Sequence, residues 1–137
     1  MKKTSLINAP LSAVIARMGH GDLLVVADCG LPIPHAKPLV DLAVSPNLPR
    51  LLEVLSAVLQ ELEIEKVIIT HEMEQRSPGY RAELYNLLQN MVPNVPVEKI
   101  SHEKLKTISN QEGSISFVRT GEATPFANLI LVAGVVF

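Results

Sequence analysis

Two short apolar runs constrain this chain more than anything else in it. LLVVAD at residues 23–28 and KVIIT at residues 66–70 are continuous, rich in β-branched side chains and too short for helices. Runs of this kind fit strands covered on both faces, as in a parallel sheet, rather than strands with one face in water. A helical pattern precedes each. Leu11, Val14, Ile15 and Met18 recur at helical spacing and end at Gly19 and Gly21. Leu51, Leu52, Leu55, Val58, Leu59 and Leu62 form one broad apolar face ahead of the second run. Strands alternating with helices predict an α/β fold: a single layered domain with a largely parallel central sheet flanked by helices.

The remaining pattern extends this reading. Residues 77–91 predict a helix with Ser77 as N-cap, Pro78 in the first turn, and Leu84, Leu87, Leu88 and Met91 buried. VPVEKIS reads as a weaker strand, and residues 101–110 as a short helix opening at Ser101. SISFVRTGE and ANLILVAGVVF read as two final strands. Five prolines between residues 29 and 49 leave mostly loop, with a short extended piece near residues 39–43. A terminal strand without a charge is a hazard at a sheet edge. It predicts that a second copy of the chain covers it. The length of 137 residues suits one domain, residues 1–137.

Composition narrows the function. A net charge of −2 gives no electrostatic case for nucleic acid or an anionic membrane, and the absence of tryptophan argues against a base-stacking platform. One cysteine, Cys29, precludes an intramolecular disulfide and favours a reducing compartment. The start of the chain lacks an unbroken apolar stretch, and the apolar tail covers half a membrane span. A cytoplasmic location is expected.

Polar residues at strand ends are the candidates for chemistry. Asp28 follows the first strand where ligands of open parallel sheets bind. His20 lies on a glycine-flanked turn before that strand. A strand of about six residues spans roughly 20 Å, so His20 and Asp28 of one chain are too far apart to share a ligand unless a loop folds back or another subunit intervenes. Cys29 reads as a small buried filler, because a neighbouring carboxylate opposes thiolate formation. THEMEQ, residues 70–75, reads as a solvated loop. His102 and Lys106, spaced i,i+4, face the same side of their helix. Asn128, behind Gly121 and Pro125, is a rigidly placed amide that donates and accepts at once, as a sugar hydroxyl does.

RMGHGDLLVVADCGLPIP, ISHEKLK and RTGEATPFANLILVAGVVF together resemble the D-ribose pyranase family, grouped with the L-fucose mutarotases. The blocks occur in the family's order and separation over nearly the whole chain. The resemblance implies an isomerase acting on a free monosaccharide, above all between pyranose and furanose D-ribose, with another aldose such as L-fucose as the alternative substrate. A non-catalytic sugar-binding module is the alternative from another class. It further implies His20 as proton donor, with Asp28, His102, Phe126, Ala127 and Asn128 binding sugar and Lys106 a further candidate. Ring opening requires neither metal nor redox cofactor. A homo-oligomer, a ring-shaped decamer with sites completed by neighbouring subunits, is also implied. Phe126 stands where the family commonly has tyrosine. The missing phenol hydroxyl forfeits a hydrogen bond of about 0.5–1.5 kcal/mol.

Overall fold

The computed structural model describes all 137 residues. In chain order the elements are α1 (Ala9–Arg17), β1 (Leu23–Ala27), β2 (Leu39–Asp41), α2 (Leu51–Leu59), β3 (Ile64–Thr70), α3 (His71–Arg76), α4 (Pro78–Met91), β4 (Val97–Ile100), α5 (His102–Asn110), β5 (Ile115–Arg119) and β6 (Leu129–Ala133). The six strands form one sheet in the order β2-β5-β1-β6-β3-β4. Pairings β1–β5, β2–β5 and β3–β4 are parallel. The sheet is therefore largely parallel, as the alternation of runs predicts.

β6 departs from expectation. It is no edge strand but lies between β1 and β3, antiparallel to both. Its five residues are all buried. An uncharged run of this kind needs neighbours on both sides as well as layers on both faces, and the centre of the sheet supplies them. Its direction follows from the connection. Only the loop 120–128 separates it from β5, too little for the helical crossover that a parallel return requires.

Alternation along the strands sorts the core into two layers. Leu24, Val26, Val67, Ile69, Leu129 and Leu131 face a cluster of 24 buried residues that includes Leu11, Leu51, Leu55, Val58, Leu84 and Leu88 of α1, α2 and α4. Val25, Ala27, Ile68, Ile130 and Val132 face a smaller cluster of nine, closed by Leu105 of α5 with Leu31, Ile115 and Phe117. The sheet is thus thickly covered on one side and thinly on the other. The thin side holds the cleft described below.

Two local readings change. Residues 71–76 form helix α3 rather than a loop, because the Thr70 hydroxyl accepts from the Met73 N–H at 3.2 Å and caps the turn. Ser77 occupies the N-cap position of α4 without capping it. Its hydroxyl donates instead to the Pro125 carbonyl at 3.0 Å, tying α4 to the loop before β6.

Candidate active site

Parallel strands bring their carboxyl ends to one edge of the sheet, and β6, running the other way, brings its amino end there too. Asp28 leaves β1, and Asn128 enters β6 one step beyond the Val26–Leu129 pair. The two lock together. The Asp28 N–H donates to Asn128 Oδ1 at 2.8 Å, and Asn128 Nδ2 donates to Asp28 Oδ2 at 2.7 Å. The Gly30 N–H donates to Asp28 Oδ1 at 2.9 Å, turning the chain sharply. Each carboxylate oxygen of Asp28 keeps a spare lone pair, and Asn128 keeps one amide hydrogen.

α5 brings the next groups. Ser101 caps it by accepting from the Lys104 N–H at 3.1 Å, which fixes His102 at the first helical position and Lys106 one turn later. Both line an open cleft of about 380 Å³ with Asp28, Gly30, Leu31, Pro32, Pro125, Phe126 and Asn128. The His102 ring stands edge-on to Phe126, with centroids 5.2 Å apart and planes at 87°. Its Nδ1 is buried without a hydrogen-bond partner. Lys106 Nζ donates to Glu103 at 3.2 Å.

Phe126 adopts φ +61°, a left-handed conformation costly for a residue with a Cβ. Its surroundings enforce it. The preceding carbonyl is held by Ser77, and the Asn128 N–H donates to the Phe126 carbonyl at 2.8 Å. Beneath the loop lies Glu122, wholly buried. One carboxylate oxygen accepts from the Thr124 N–H at 3.2 Å and the Thr124 hydroxyl at 2.7 Å. The other accepts from the Leu51 N–H at 3.2 Å, at the start of α2, with Arg50 Nε at 3.6 Å. The Glu122 carbonyl accepts from the Cys29 N–H at 2.9 Å, so this residue joins the two loops that carry Asp28 and Phe126. Burial, then the Glu122 charge, pushes the nearby Tyr80 phenol far above its usual value.

The residues singled out in the sequence divide in two. Asp28, His102, Lys106, Phe126 and Asn128 meet at the cleft. Ala127 does not line it; the side chain packs in the larger core. His20 lies at the other end of β1, about 17 Å or more away by strand rise alone. It is exposed, its Nε2 is 2.7 Å from Glu65 Oε2, and it borders a second hollow with Met18, Val135, Val136 and Phe137. Cys29 is exposed rather than buried, because the Asp28–Gly30 turn directs it outward. Sequence reasoning passes over Glu122 and sets Glu72 aside within the solvated loop expected at residues 70–75. For Glu122 the available signal was a lone acid between two hydroxyl residues, Thr120 and Thr124. Glu72 was hidden by the unrecognised cap at Thr70.

Removing the amide tests the Asp28–Asn128 lock. Asn128→Ala leaves the part-buried Asp28 N–H and one carboxylate oxygen without their partners and lowers stability by about 2 kcal/mol, read from urea unfolding. An unchanged unfolding midpoint would show that the pair contributes nothing.

A mixed α/β sheet with a polar cleft at the strand ends defines a small-molecule site. The model of the RbsD / FucU transport protein family matches residues 1–136, and the chain belongs to that family. It is 50% identical to the D-ribose pyranase of Chloroflexus aggregans and 47% identical to that of Coprothermobacter proteolyticus, over all 137 residues and the full length of each relative. Among solved structures, Bacillus subtilis RbsD complexed with D-ribose superposes with a TM-score of 0.86 at 36% identity, both chains fully covered. The fucose mutarotase of Streptococcus pneumoniae in complex with L-fucose shares the fold, at a TM-score of 0.74 and 21% identity over the full length of both chains.

Proposed function

We infer that the chain has D-ribose pyranase activity, interconverting the β-pyranose and β-furanose forms of free D-ribose. The observation that carries this reading is 47–50% identity over the full length to enzymes of that name, in a chain whose strand ends gather a carboxylate, an imidazole, an ammonium and an amide. Ring opening of a hemiacetal needs a proton delivered to the ring oxygen and one removed from the anomeric hydroxyl. The open aldehyde then rotates, and a different hydroxyl closes on it. No electrons leave the sugar, so the reaction requires only acid–base and positioning groups.

In this reading Asp28, held by Asn128 and Gly30, accepts from sugar hydroxyls and fixes the ring. His102, Lys106 and the residues 126–128 bind the remaining hydroxyls and a sugar face, Ala127 through its backbone. His20 carries the proton, at a rate advantage of about 10²–10⁴ typical of such groups. It does so for a neighbouring copy, because its own cleft is at the opposite end of β1. The exposed apolar residues Val135, Val136 and Phe137 beside His20 support a subunit contact there. Closing that contact head to tail gives a ring, and the resemblance to the D-ribose pyranase family implies a decamer. No helix is long and apolar enough to cross a membrane. The exposed thiol of Cys29 supports a reducing compartment, and we place the activity in the cytoplasm.

Magnetisation-transfer NMR on D-ribose tests the activity. Catalytic amounts of protein accelerate exchange between pyranose and furanose signals, and His20→Ala lowers that acceleration by about 10²–10⁴. Saturable binding with no faster exchange would replace the enzyme by a sugar-binding module. Faster exchange on L-fucose than on D-ribose would reassign the substrate.

A further inference from the structure

We propose that Glu72 is a positioning residue for His102, its carboxylate fixing the angle at which the imidazole enters the cleft. This deepens the sugar reading of the cleft and rests on it. The register of the sheet creates the pairing. β3 and β4 are adjacent and parallel, with Thr70 opposite Ile100. Two residues beyond that pair, Glu72 and His102 come side by side, each in the first turn of its own helix. Glu72 Oε2 accepts from the His102 N–H at 3.0 Å, one of the donors a helix start leaves without an internal partner.

The platform under Glu72 is firm. Thr70 caps α3, Met73 is wholly buried, and Glu74 pairs with Lys99 at 2.8 Å and Arg81 at 3.0 Å. Burial pushes the Glu72 carboxyl up, yet hydrogen bonds from its own N–H and that of His102, with His102 and His71 nearby, hold it below the ordinary value. Glu72 is therefore a charged acceptor at neutral pH. No side-chain hydrogen bond holds the His102 ring, which stands edge-on to Phe126 with its Nδ1 buried and unpartnered. Ser101 caps the first turn through the Lys104 N–H, and Glu72 holds the His102 N–H itself, so the ring enters the cleft from a backbone that Glu72 helps to anchor.

The test is a double-mutant cycle on the KM for D-ribose in the exchange assay. Glu72→Ala raises KM about tenfold, as expected for a binding group set askew. Glu72→Gln keeps an acceptor oxygen and stays within about twofold. In a His102→Ala background Glu72→Ala adds almost nothing, because the group it positions is gone. If Glu72→Ala does not fold, Glu72→Asp, which draws the carboxylate back by one methylene, carries the same cycle with a smaller rise. Independent, multiplying effects of the two sites overturn the proposal, as does a Gln variant as impaired as Ala, or an unchanged KM in Glu72→Ala. A wild type inert toward every aldose overturns the sugar reading and this inference with it, whereas an active wild type with an additive cycle overturns only the inference.

Discussion

Subunits carrying His20→Ala and subunits carrying His102→Gln, each nearly inert alone at D-ribose concentrations far below KM, regain exchange activity when unfolded and refolded as a mixture. The expectation follows from where these two side chains lie: His20 precedes β1, and His102 stands at the cleft beyond the strand's other end. If His20 serves a neighbour's cleft, a site is intact when it draws His20 from one kind of subunit and His102 from the other. In an equal mixture that holds for about a quarter of sites, whichever symmetry the assembly has. Neither variant is a core substitution: His20 is exposed and His102 half-buried. Loss of activity in the single variants therefore reads chemistry rather than folding. Mixing without refolding gives nothing if the assembly does not exchange, and recovery appears once it does. A mixture as inert as its parents would show that His20 and the cleft do not form one site.

Gly121→Ala destabilises the protein by about 3 kcal/mol or more, a fall in Tm of roughly 10 °C at fixed protein concentration. The residue lies where two loops touch. A Cβ there would stand 2.5 Å from the Ser45 carbonyl oxygen and 2.6 Å from the Leu48 carbonyl carbon. Those are backbone atoms, so no side chain can swing aside. They are also held in place, since the Gly121 N–H donates to Pro49, the Asn47 N–H donates to the Gly121 carbonyl, and the Ala123 N–H donates to the Asn47 side chain. Relief requires moving Gly121, and Glu122 moves with it. The start of α2 and the Asp28 turn are then released together, so KM rises along with the fall in stability. Gly79 in α4 is the control, because a Cβ there meets nothing within 4 Å. Gly79→Ala should leave Tm unchanged or raise it. Thermal unfolding by circular dichroism reads both, and equal Tm values for the two variants would refute the close-approach account.

Much of this fold was legible because its strongest signals are local. Leu23–Ala27 is a strand because a short uninterrupted apolar run centred on two valines, between glycine and proline, has few other options. The helix beginning at Leu51 declares itself through six apolar side chains at helical spacing. α3 was not legible, since six residues are too few to show a period and its cap, Thr70, looks like the end of a strand. The place of β6 was not legible either. Burial on both faces reads the same whether neighbours are strands of one chain or of another copy, and strand order is a non-local property. At the site, strand-end position marked Asp28, the i,i+4 spacing marked His102 and Lys106, and the frame of Gly121 and Pro125 marked Asn128. None of these signals points to the roles of Glu72 or Glu122, each of which accepts a backbone N–H brought near by the register of distant segments.

The central position of β6 bears on how the molecule is made. Remove that strand and the sheet falls into two ribbons, β2-β5-β1 and β3-β4, with no backbone ladder between them. β6 follows the other five strands in the chain, so during synthesis both ribbons wait with hydrogen-bonding edges open until it arrives. Assembly is then gated by one late, long-range insertion, which slows folding and lengthens exposure to wrong partners. A nascent chain stalled before Leu129 is the form on which a chaperone has most to act.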